Sequence, residues 1–141
     1  MDSFFEIIKY DPKIDSEELL KEQVNSAYEK NKLFFDQDVE IKINIIYQRE
    51  EMNQAKGRKT ADWEVGLANN GQITIFSPEM FNKVSNHPQS DFPLTLTHEI
   101  AHIFTEQIYG FKSPQWFKEG LAGYVAGQYK GNMKKEDVQD F

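Results

Sequence analysis

His98, Glu99 and His102 stand in the run LTLTHEIAHIF, Leu94 to Phe104, which is otherwise built to be buried. Two histidines four residues apart lie one turn above the other if the run is helical, so both imidazoles converge on one point. Glu99, about 100° round the helix from His98, sits beside that point without being aimed at it. Two imidazoles and a neighbouring carboxylate can hold a divalent cation and handle the proton of a water next to it. With this chain's own content of His and Glu the pattern arises by chance in about 0.6% of such sequences, so a bland surface pair keeps some weight until a third ligand is found.

Two histidines leave a cation short of protein ligands. The chain has no cysteine, so the missing ligand must be nitrogen or oxygen. His87 is the one other histidine and lies beside Pro88. The better candidate is Glu119 in SPQWFKEGLAGYVAGQ, where Ser113 can cap a helix and Pro114 can occupy its first turn. Gly120, Gly123 and Gly127 fall in the same sector as Glu119 and Trp116, and together forfeit roughly 3 kcal/mol of helix propensity relative to alanine. Such a stripe predicts close approach of this helix to the one carrying His98 and His102, with Trp116 packed under the site. Without a metal, the same stripe reads as tight helix packing with Glu119 solvated.

The elements that must position these residues follow from periodicity. SFFEIIKY is a short strand or an arm. Asp15 and Glu18 make a capping-box-like start to an amphipathic helix ending at about Asn31. Val39 to Tyr47 alternates apolar and polar residues as a half-buried strand does. Gln48 to Thr60 is polar without a period and reads as an exposed loop, open to self-cleavage or substrate contact. WEVGLANNGQITIF reads as two strands joined at Asn69-Asn70-Gly71. Ser77 and Pro78 start a short helix through about Val84, and NHPQSDFP is a loop leading into the histidine helix over residues 93 to 109. Phe4, Phe5, Phe34, Phe35, Phe76 and Phe81 are expected in the core. The fold class is α+β, with a small twisted mixed sheet, a backing helix, a helix carrying the histidines and a helix carrying Glu119.

At 141 residues, 39% hydrophobic and with eleven Phe, the chain has material for one core and one domain spanning 1-141. A net charge of -7 without a basic stripe argues against nucleic acid as a partner. Neither a signal peptide nor a bilayer-length apolar run stands out, so the expectation is no membrane partner and a cytoplasmic location.

HEIAH followed by WFKEGLAGY resembles the gluzincin zinc metallopeptidases, whose third zinc ligand is a glutamate in an (N/W)xxEGxAxY-like helix. The resemblance is firm from Leu94 to Ala126 and looser over WEVGLANNGQITIF; in size the chain is closest to the single-domain minigluzincins. It implies a thermolysin-like zincin core and Zn2+ on His98, His102 and Glu119, with Glu99 as general base and acid. A peptide or protein substrate is expected along the edge strand near Trp63 to Ala68, where Gly66 permits close approach. Gluzincins commonly add a tyrosine or histidine that stabilises the oxyanion, and here Tyr124, Tyr129 and His87 are the candidates, Tyr124 first. Gly123 replaces the carboxylate that some relatives carry one turn after the glutamate ligand.

The expected function is that of a zinc-dependent peptidase, cleaving peptide bonds with metal-activated water. The alternative is a silent or latent zinc-binding module that docks a peptide strand or a protein. The lower lobe of the large relatives is missing, so the cleft is shallow or is completed by the tail, a partner or a second copy as in a homodimer. The tail KGNMKKEDVQDF is read as a frayed terminus, beside a reading in which it lies in its own cleft and keeps the molecule latent.

Overall fold

The computed structural model describes residues 4–110 and 113–127. Four strands form one mixed sheet: β1 (Phe5–Lys9), β2 (Ile41–Ile46), β3 (Gly66–Asn69) and β4 (Gln72–Phe76), in the order β1-β2-β4-β3. β1 and β4 run parallel to β2, and β3 runs antiparallel to β4. Among the described residues five helices accompany them: α1 (Glu17–Phe35), α2 (Arg49–Lys56), α3 (Phe81–Val84), α4 (Phe92–Tyr109) and α5 (Gln115–Val125), with a 3-10 turn at Gln89–Asp91 before α4. The α+β class with a mixed sheet is therefore as expected. None of the described helices is long and apolar enough to cross a membrane.

The alternation in β2 and β4 puts Ile41, Ile43, Ile45, Ile73 and Ile75 into one core. α4 adds Leu96, Ile100, Ile103 and Phe104 to it, and α1 adds Leu20, Val24 and Phe35. Phe104 stacks on Phe35 with ring centroids 5.4 Å apart, which fixes α4 against α1. The histidine helix is thus anchored by its apolar arc. At its start Pro93 occupies the first turn, and Thr97 Oγ1 donates back to the Pro93 carbonyl at 2.8 Å.

β3 and β4 are joined by a two-residue turn at Asn70 and Gly71, with φ of 51° and 78°, the left-handed conformation such tight hairpins require. The Phe76 amide donates to the Val65 carbonyl at 3.2 Å. By the antiparallel alternation, Val65, Leu67 and Asn69 turn their backbone groups toward β4. Gly66 and Ala68 turn theirs to the outer edge, which no described strand covers.

Several elements differ from the expectation. The exposed loop Gln48 to Thr60 contains α2, which starts where Glu51 accepts the Gln48 amide at 3.0 Å and ends at Gly57 with φ 71°. Its pattern is inconspicuous because only Met52 is buried. α1 is capped by Ser16, whose Oγ accepts the Leu19 amide, whereas Asp15 accepts the Tyr47 hydroxyl at 2.6 Å. It also runs four residues beyond Asn31, to Phe35. Phe4 is 42% exposed and is not part of the core. β3 begins at Gly66, so Trp63 to Val65 lie outside the strand, and Trp63 stands exposed.

Candidate metal centre

α4 and α5 pack side by side, and Tyr109 meets Phe117 edge to face with centroids 5.3 Å apart where one helix hands over to the other. This brings Glu119 opposite the histidines. Its Oε2 lies 3.1 Å from His98 Nε2 and its Oε1 3.0 Å from His102 Nε2. One donor atom from each of His98, His102 and Glu119 falls within 4.8 Å of the others.

Ligands about 2.1 Å from a tetrahedral ion stand about 3.4 Å apart, so small side-chain adjustments suffice to admit zinc. The donor set fits that metal: two imidazole nitrogens, one carboxylate and no thiolate, an arrangement that leaves one coordination position open. Gln115, one turn before Glu119 on α5, donates from Nε2 to its Oε1 at 3.1 Å. The imidazoles, His102 first and then His98, hold the Glu119 carboxyl well below the usual carboxylate range. Glu119 is therefore an anion, the form a metal requires.

Glu99 is on the other side of the pair. Its side chain lies against Gly66, and burial pushes its carboxyl upward while the His102 and His98 rings oppose the shift. The site opens into a cleft of about 610 Å³ lined on one side by residues 63–68 and on the other by Gln115, Lys118 and Glu119. His98, Glu99 and His102 are on its floor.

The strand side of the cleft is braced by charge. Glu64, 5% exposed, accepts from Arg58, from the Ala61 amide at 2.7 Å and from Lys56 at 3.0 Å. Arg58 first, then Ala61 and Lys56, hold its carboxyl far below the usual range. Arg49 at the start of α2 donates to the carbonyls of Asp62 at 3.2 Å and Val84 at 2.7 Å, with its guanidinium 4.7 Å above the Phe76 ring. The segment Gln48 to Thr60, expected to be an exposed loop open to self-cleavage or substrate contact, thus supplies the buttress of the cleft. Lys56 at the end of α2 and Arg58, two residues further on and past the Gly57 cap, are the cations that meet the buried Glu64.

Other expected site residues are placed differently. Tyr124 packs on Phe34 of α1 with centroids 5.7 Å apart and does not line the cleft. His87 does line it, but Nδ1 lies 3.0 Å from Asp91 and Nε2 3.0 Å from the Trp63 carbonyl. Trp116 is 57% exposed and stands edge to face with Phe117, so it does not pack under the site. Of the three glycines expected to mark a close-approach surface, Gly123 is buried in α5, whereas a Cβ on Gly120 meets nothing within 4 Å and Gly127, at φ 76°, lies past the end of α5. Ser113 does not cap α5 but donates to the Tyr109 carbonyl at 3.1 Å. Tyr129 and the tail lie outside the described residues.

Comparison of the chain with protein-family models, curated proteins and solved structures finds no match.

Proposed function

We propose that the chain is a zinc-dependent peptidase of gluzincin type, with His98, His102 and Glu119 as metal ligands and Glu99 as general base and acid. The reading rests on one observation above all: two imidazole nitrogens from one helix and a carboxylate from another converge beside a second carboxylate. A bound zinc ion supplies Lewis acidity, which polarises a carbonyl and makes water acidic near neutral pH. An extended peptide aligns on the outer edge of β3 through the backbone groups of Gly66 and Ala68. Glu99 takes a proton from water as the water oxygen bonds to the carbonyl carbon. It returns that proton to the nitrogen as the C–N bond breaks. A mixed sheet beside a helix carrying both histidines and a second helix carrying Glu119 is compatible with the same reading.

One observation favours a second reading, a zinc-loaded module that binds a peptide strand without cleaving it. Tyr124 faces Phe34, and both ring nitrogens of His87 already have partners, so neither is free to stabilise an oxyanion in this arrangement. Digestion of a mixed peptide library with zinc-loaded protein separates the two. Cleavage that a chelator abolishes supports the peptidase; peptide binding with no cleavage over long incubation supports the silent module.

A further inference from the structure

Gly66 has no conformational reason to be glycine. It pairs in regular register with Ile75, and it is not among the glycines with positive φ, which are Gly57, Gly71, Gly110 and Gly127. Glycine inside a strand gives up side-chain packing and chain entropy, so its presence calls for a close neighbour. That neighbour is Glu99. A Cβ built on Gly66 lies 3.0 Å from Glu99 Cγ, 3.0 Å from its Oε2 and 3.2 Å from its Cδ. Nothing comparable surrounds Gly57 or Gly120, where an added Cβ meets nothing within 4 Å.

We propose that Gly66 is the positioning residue for Glu99: the missing side chain is the seat of the carboxylate, and any substituent there displaces it while leaving His98, His102 and Glu119 untouched. The inference deepens the peptidase reading and rests on it for the meaning of the displacement. The same residue turns its peptide groups to the open edge of β3. One position therefore holds the strand that aligns a substrate and the base that acts on it, so the two stay in register with each other.

The contact can be measured without metal or substrate. Melting temperatures of the parent, Gly66→Ala, Glu99→Ala and the double variant, all in chelator, form a closed cycle. The expected result is that Gly66→Ala is less favourable by about 3 °C when Glu99 is present than when position 99 is Ala. Should Gly66→Ala alone fail to fold, recovery of folded protein in the double variant is the same result in stronger form. Equal effects in both backgrounds, or a double variant that also fails to fold, overturn the proposal.

In zinc-loaded protein, Gly66→Ala should keep one zinc and an unchanged KM while kcat falls about 10-fold, the signature of a misplaced base as opposed to a lost ligand. A parent protein that cleaves no peptide removes the peptidase reading, and the melting cycle still decides whether position 66 seats Glu99.

Discussion

His98 and Glu119 are 21 residues apart in the chain, yet Nε2 of one lies 3.1 Å from Oε2 of the other. That contact joins α4 to α5 where both present ligand-type side chains to the same cleft. It is also where a hydrogen-bonded ion pair and a metal site make different predictions.

Glu99→Gln removes a proton acceptor and leaves the three proposed ligands in place. Zinc content measured by mass spectrometry should stay at one per chain, while peptide hydrolysis falls by a factor of about 10² to 10⁴. Full zinc content with undiminished hydrolysis refutes the role given to Glu99.

Gln115→Ala deletes the amide that orients Glu119 Oε1 and touches neither histidine. Zinc affinity by competition with a coloured chelator should weaken about 10-fold, the lower end for a partner that holds a ligand in place. An unchanged affinity means that the amide contributes nothing to the site.

Glu64 carries a pH prediction. Its carboxyl lies below its ordinary value of 4.5 in the folded protein because Arg58, the Ala61 amide and Lys56 favour the anion. A depressed folded value adds stability above the unfolded value and loses it as pH falls. Glu64→Gln should therefore melt below the parent at pH 7, and the gap should narrow once the pH drops beneath about 4.5. A gap that is constant from pH 7 to pH 3 contradicts this.

The outward amides of Gly66 and Ala68 are the groups offered to an extended peptide. In hydrogen exchange followed by NMR they should exchange faster than those of Leu67 and Asn69, which face β4. Binding of a peptide to the Glu99→Gln variant should slow exchange at Gly66 and Ala68 selectively. Protection elsewhere, with these two unaffected, places the peptide on another surface.

Much of this arrangement was legible in the residues, because α4 combines a strong apolar arc with two histidines at helical spacing and Glu119 follows a proline-initiated helix. The hairpin was legible too, since Asn70 and Gly71 tolerate the positive φ it needs. α2 was not, because its one buried residue leaves no period to detect and its start depends on Glu51 reaching back to Gln48. Gly120 and Gly127 misled for a related reason: spacing shows which residues share a face, but not whether anything packs there, and of the three glycines only Gly123 is buried. Gly66 is expected from the sequence to let a substrate come close; the group set against it is instead Glu99, which comes from α4 and is visible only once β3 and α4 are brought together.

The central claim is that His98, His102 and Glu119 hold one divalent ion, and zinc-edge anomalous diffraction from crystals soaked in zinc salt tests it most directly. The account predicts a single strong peak about 2.1 Å from both Nε2 atoms and from a Glu119 oxygen. A map without a peak there, with Glu119 still hydrogen-bonded to both imidazoles, contradicts it.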